Sequence, residues 1–439
     1  MMKTGKILSC VGIMLGMSIS MMMQTQLTTA MPVISREFGT TGYYSWVYSG
    51  YLLASAVTLP LFGRICDRYG YRNNYIVGGF LFLLGTLFSG ISRSMGALIL
   101  SRVVAGFGSG IVVPAAYGIV GSLFQKEQMR KVFGFLAVFQ IFNTGLGSVL
   151  GGVFSTRFTW QLGLLILLPF ELAGVLLVVL TIRKDDHMKT VDTIGFPSAM
   201  LLAPALLITM YGLEKCSDSL SIRNVMILLP GIVLLTVFMI REQKTENGIL
   251  PAEVLKNVKL KGLLVEVLLM GAVLNVCFAY LPTYMVREFD WTTNTSGKVL
   301  LLYIIAMGTA SMASSFVQKE SDKVIFFGWG SALLGCIIGL ASFFTHFVSL
   351  FLLSNLLLGI GVGVLAGTVL GTIQAEIERN SASINGIAHL MRNMGGTLGV
   401  CALQFSLVRG MGFLFSGLFV FGLAALSIQI FVVRKRRII

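Results

Sequence analysis

The ten residues Gly63–Arg72, GRICDRYGYR, set one acid, three arginines and two glycines between two long apolar segments. Charges and turn-forming glycines at such a junction mark a helix-to-helix hinge at a membrane surface. The rest of the chain supports that reading. Its mean hydropathy is +0.85. Hydrophobic residues make up 55% of the 439 and charged residues 12%, about half the usual charged share of soluble domains. A soluble globular protein is therefore excluded.

A bilayer core about 30 Å thick needs roughly 20 apolar residues per helix. Measured against that length, the apolar runs give fourteen candidate spans. They start near Ile7, Tyr43, Asn73, Gly96, Lys131, Trp160, Thr193, Ile222, Lys261, Ser296, Lys323, Phe347, Ile384 and Met411. The connections left over are short, and the expectation is an all-α integral membrane protein. The opening MMKTGK and its apolar run have the look of a secretory signal. That run continues to Met23 and more spans follow, which favours a retained first helix.

The formal net charge of +14 raises the possibility of a nucleic-acid partner, but its placement argues against one. With the N-terminus in the cytoplasm, 23 bases fall in cytoplasmic segments and eight in outer ones; Arg102 and Arg392 lie within spans, which accounts for all 33. This is the bias expected of membrane topology. It favours an even number of spans with both termini cytoplasmic, and lipid rather than nucleic acid as the charged partner. The six cysteines are scattered without metal spacing and the three histidines form no cluster, so neither a metal nor a cofactor is expected. No nucleophile–base pair suggests an enzyme.

Two segments repeat weakly. FQKEQMRK leads into GFLAVFQIFNTGLGSVLGG, and QAEIERNSAS leads into INGIAHLMRNMGGTLG. Each has a charged linker, a glycine, then an asparagine (Asn143 or Asn393) just before a glycine cluster. Span five is thus the expected counterpart of span thirteen in a duplicated architecture.

Gly63, Asp67, Arg68, Gly70 and Arg72 resemble the signature loop between helices two and three of the major facilitator superfamily, a large group of secondary transporters. Ile65 and Cys66 depart mildly from that pattern, and Tyr71 stands where a base is usual. The segments VDTIGFPSAMLL and REQKTENGILPAEVLKN resemble the fourteen-helix drug:proton antiporter branch. The resemblance implies a major facilitator fold: a six-helix bundle over residues 1–190, two extra linking helices over 191–245, and a second six-helix bundle over 246–439. It also implies a gating role for Asp67 and Arg68.

Further motifs carry implied roles. Arg102, Gly106 and Gly108 resemble a fourth-helix motif whose arginine faces the cavity and takes part in proton coupling. Gly147, Gly151 and Gly152 match an exporter motif in span five, with Ser148 in place of its proline. In span one, MMQTQLTTAMP puts Met23 where the branch carries an aspartate. Gln24, Thr25 and Thr28 keep that helix polar but uncharged. With Asn143, Asn393 and Arg392 they are the candidate cavity-lining groups.

An ionisable group at mid-bilayer costs at least about 2.5–3.5 kcal/mol, so acids inside spans are functional candidates. Glu171, near the centre of span six, is the first, and Glu266, about one turn inside span nine, is the second. The expected function is proton-coupled export of amphipathic small molecules by alternating access, from a monomer in the plasma (inner) membrane. A uniporter of a metabolite and a non-transporting sensor of the same fold are the alternatives.

Topology is directly testable. In an otherwise cysteine-free variant, a single cysteine placed within Arg434–Ile439 is expected to react with a membrane-impermeant maleimide only after the membrane is opened; labelling of intact cells would refute this orientation.

Overall fold

In a computed structural model the chain is described over residues 3–39, 43–124, 126–182, 196–219, 221–245, 257–315, 321–376, 381–410 and 412–438. The described residues form sixteen helices and no strand. This follows from the solvent: hydrocarbon offers no partner for a backbone N–H or C=O, and a helix satisfies both within one segment. Ten stretches are long and apolar enough to cross a membrane, one of them, Trp160–Thr181, running through two of these helices. Exposed side chains such as Phe80, Leu100, Leu180, Met226 and Phe327 suit a lipid-facing surface.

The helix starts lie close to those expected. The first seven are α1 (Lys3–Glu37), α2 (Tyr44–Tyr69), α3 (Tyr71–Gly90), α4 (Met95–Leu123), α5 (Lys126–Arg157), α6 (Trp160–Leu165) and α7 (Leu168–Thr181). They are followed by α8 (Phe196–Asp218), α9 (Ile222–Lys244), α10 (Val258–Glu288), α11 (Thr293–Ser315) and α12 (Ser321–Thr345). Last come α13 (Val348–Glu376), α14 (Ser381–Ala402), α15 (Ser406–Arg409) and α16 (Gly412–Ile438). Several starts are written in capping side chains. Ser94 accepts from the Ala97 amide, Thr159 from that of Leu162, and Asn257 from those of Lys259 and Leu260. Residues 191–195 and 246–256, within the two segments that resemble the fourteen-helix branch, lie outside the described residues.

The chain divides into two compact units, Met1–Ala199 and Met200–Ile439. In the first unit α1 packs on α5 and α7, α2 on α4, and α3 on α4 and α7. In the second, α10 packs on α14 and α16, α11 on α13, and α12 on α13 and α16. The neighbour order is the same, and α5 and α14 hold equivalent places, as the repeated segments imply. Close approach is secured in the same way in both. A Cβ at Gly151 of α5 would run into the carbonyl of Gln26 in α1, and one at Gly395 of α14 into the carbonyl of Leu268 in α10. Most of α8 and all of α9 group with the second unit, and they pack on each other where Gly212 meets Leu228 and Gly231 meets Thr209.

The opening motif is more helical than a ten-residue hinge. α2 runs through Tyr69, so Gly63 and Arg68 are helical, and α3 begins at Tyr71. The turn between them is Gly70 alone, with φ +91° and ψ +144° and its N–H donated to the Cys66 carbonyl. Only glycine takes that conformation without strain. The side chain of Asp67 lies outside the described residues. Arg72, next after the turn, donates from Nη2 to the Val179 carbonyl of α7 at 2.9 Å.

Two glycines of one motif should therefore respond differently to the same change. Gly70→Ala is expected to destabilise by about 1–3 kcal/mol, the usual cost of such a backbone conformation in a non-glycine residue. Gly63→Ala meets nothing within 4 Å and removes a helix-interior glycine, so it should be neutral or mildly stabilising. Thermal melts of the purified protein in detergent check the pair; equal loss in both would contradict the single-residue turn.

Candidate functional site

Span six is two helices rather than one. The break falls at Ile166–Leu167, and Pro169, which has no N–H to donate, lies at the start of α7, where helices tolerate it. Glu171 therefore sits in the first turn of α7, directly after the break. Its residue is only 2% exposed.

The partner of Glu171 comes from α3. Thr86 Oγ1 lies 3.0 Å from Glu171 Oε1 and 3.0 Å from the Phe82 carbonyl oxygen of its own helix. A hydroxyl has one proton to give and can also accept. When Glu171 is ionised, Thr86 donates to the carboxylate. When Glu171 is protonated, the acid donates to Thr86 and Thr86 donates to Phe82. The pair thus accommodates the carboxyl with or without its proton. The second oxygen, Oε2, is buried and has no hydrogen-bond partner. Thr86 Oγ1 also lies 3.5 Å from Met23 Sδ of α1, so the uncharged position of span one faces the same spot.

Arg102 of α4 is 1% exposed. Its guanidinium carbon stands 4.3 Å from the Tyr51 ring centroid of α2, a cation–π contact. Gly106, one turn further along α4, makes that contact possible by lying against the Tyr51 carbonyl, where a Cβ would not fit. Nε and Nη1 of Arg102 are buried without hydrogen-bond partners. The first unit thus contains a buried acid and a buried base, each with unfilled hydrogen-bonding capacity.

The other expected residues fall into place individually. Thr25 Oγ1 lies 2.8 Å from the Thr144 carbonyl, tying α1 to α5, and Thr28 Oγ1 bonds back to the Thr25 carbonyl. Gln24 is 7% exposed. Asn143 Nδ2 donates to the Phe139 carbonyl of its own helix. The glycines of the exporter-like motif serve the α1–α5 seam: Gly147 meets the Met22 carbonyl, Gly151 meets that of Gln26, and Gly152 is buried. Ser148 is buried with its hydroxyl on the Gly145 carbonyl, and α5 continues through it. In the second unit, Arg392 Nη2 lies 2.8 Å from His389 Nδ1, and Asn393 is buried in α14.

Glu266 departs from expectation. Its place near the start of span nine suggests a side chain able to reach the surface, yet it is completely buried and neither oxygen has a hydrogen-bond partner. Tyr51 and Thr86 escape sequence reasoning altogether. A threonine or tyrosine inside an apolar helix is common, and only the fold sets these two beside Arg102 and Glu171.

Comparison with known proteins supplies the family. The chain is 26% identical over 316 residues to "Multidrug resistance protein 3" of Bacillus subtilis, covering 71% of this chain and 61% of that one. It is 26% identical over 341 residues to "Efflux pump dotC" of Dothistroma septosporum, covering 75% and 58% respectively. A "Multidrug resistance protein B homolog" of Mycobacterium tuberculosis is 24% identical over 295 residues, covering 66% and 53%. The chain thus spans less than two thirds of the length of these relatives. The family model described as Major Facilitator Superfamily matches residues 13–400, and with its membrane-length helices in two units of like order the chain belongs to the Major Facilitator Superfamily.

Proposed function

We propose that this protein is a proton-coupled exporter of amphipathic small molecules in the plasma membrane, with Glu171 carrying the coupling proton. The superfamily comprises transporters rather than enzymes. Relatives whose names speak of multidrug resistance and efflux, at low identity, support the cargo class and direction. Bacterial relatives support the location. The reading takes fourteen spans with both termini cytoplasmic, counting α6–α7 and α14–α15 as one span each. It adds α3, α5, α8 and α14, which have 20, 32, 23 and 22 residues, to the ten stretches of membrane length and apolarity.

One observation carries the proton assignment: a buried carboxyl whose hydrogen-bonding neighbour among the described residues, Thr86, serves it both with and without a proton. An unpaired charge at that depth is costly and a proton removes the cost. A cationic substrate arriving beside the ionised carboxylate would compete with the proton. Met23 leaves α1 without the usual acid, but Glu171 brings a carboxyl to the hydroxyl that Met23 touches. This favours coupled transport over uniport.

In reconstituted liposomes with an imposed pH gradient, screened with lipophilic cations and neutral drugs, Glu171→Gln is expected to abolish gradient-driven accumulation while leaving counterflow exchange intact. Accumulation at the wild-type rate in the variant would overturn the assignment.

A further inference from the structure

A second group of unsatisfied atoms lies in the first unit, where α1, α5 and α6 meet. Gln26 of α1 is 2% exposed, and neither its amide nitrogen nor its amide oxygen has a hydrogen-bond partner. Its neighbours leave room for it: a Cβ on Gly163 of α6 would collide with Gln26 Nε2, and one on Gly151 of α5 with the Gln26 carbonyl. The hydroxyl oxygen of Ser155, on α5, is also buried and unpartnered. Gln26 and Ser155 line one gap, walled by Leu27, Phe154, Trp160 and Leu164. The gap is nowhere wide enough for a water. Buried donors and acceptors without partners are costly, and water is the usual remedy where it fits. Three such atoms on a gap that excludes water point to a second arrangement in which the gap widens.

Trp160 is the wall best placed to move. It opens α6, a separate six-residue helix that ends at the break before α7. Its buried indole is held from the surface: Nε1 donates to Glu37 Oε2 at 2.7 Å, and the Phe38 ring stands edge-on with centroids 6.0 Å apart. Gln161 Nε2 reaches the other Glu37 oxygen at 3.2 Å. Glu37 is exposed, so water competes for this contact and it can break and re-form. At its inner side the gap approaches the proton site. Gln26 lies three residues beyond Met23, on the same face of α1, and Met23 touches Thr86, which holds Glu171. Methionine is unbranched and flexible, and that last turn can yield to water.

We infer that Gln26 and Ser155 form a hydration site with Trp160 as its lid and Glu37 as its catch, through which Glu171 exchanges its proton with the medium. The inference rests on the proposed role of Glu171; on the proposed orientation this is the outer end of the unit. With the lid raised, an entering water donates to Gln26 Oε1 or Ser155 Oγ and accepts from Gln26 Nε2. One proton leaves the medium along such waters and one is gained by the carboxylate, and no other bond changes. With the lid shut, the carboxyl is sealed from this end.

Silver ion, small enough to follow water, tests the lid without a substrate. Ser155→Cys is made in an otherwise cysteine-free full chain and reconstituted in lipid. The rate at which silver blocks later maleimide labelling of the unfolded protein is then measured. Removing the catch with Glu37→Ala should speed blocking about tenfold, the scale of one lost hydrogen bond to a charged group. Glu37→Gln, which keeps an acceptor for Trp160, should stay near the parent rate. Equal rates in all three would overturn the lid. In transport, Gln26→Leu should cut gradient-driven accumulation about fivefold more than counterflow, because only the former needs proton exchange. Equal losses would mark Gln26 as a cargo or packing residue and overturn the site. Failure of the Glu171 assignment shows separately, as wild-type accumulation in Glu171→Gln, and leaves the silver rates readable.

Discussion

Everything in this structure follows from the absence of water inside a bilayer. A backbone there must bond to itself, which gives helices. A polar side chain must find a neighbour, and most here do so on a nearby carbonyl of their own helix: Thr58 on Ala54, Thr209 on Ala205, Thr372 on Thr368. Among the buried polar atoms of the described residues that find no such neighbour, several belong to ionisable groups. Glu171 keeps one oxygen open, Arg102 keeps two guanidinium nitrogens open, and Glu266 keeps both oxygens open. Groups left unsatisfied at such cost are the places where a passing proton or ligand has something to gain.

The two units meet the packing constraint alike and use the result differently. In each, the fifth helix of the bundle lies against the first through a glycine set on a carbonyl. In each, the sixth helix packs on both the first and the third, and a buried acid lies among these elements. In the first unit that acid is Glu171, held by a threonine that serves either protonation state. In the second the first helix of the bundle carries Glu266, completely buried with neither oxygen hydrogen-bonded. The repeated scaffold thus carries one buried acid in each unit, in different settings.

Much of the scaffold was legible in the sequence because apolar length and side-chain caps are local signals. Residues such as Trp160 and Ile222 open their helices where the apolar runs begin. The hinge was less legible: Gly63–Arg72 looks uniformly loop-like by composition, yet α2 runs on through Tyr69 and leaves the turn to Gly70. The site was partly legible. A lone glutamate in an apolar run can be seen in sequence, as Glu171 was, but the helix break before it at Ile166–Leu167 and its partner Thr86 on α3 appear only in the fold. Glu266 shows the limit most clearly. Its distance from the helix start suggests access to water, and only the fold shows it completely buried.

The central claim is that substrate and proton movement are obligatorily linked. Proteoliposomes containing the wild-type protein and a trapped pH dye, with no initial pH difference, test this when a gradient of a transported lipophilic cation such as ethidium is imposed. Downhill movement of the cation should drive protons the opposite way, shifting the lumen pH with a sign that reverses when the cation gradient is reversed. Cation flux through the protein with the lumen pH unchanged would contradict the account.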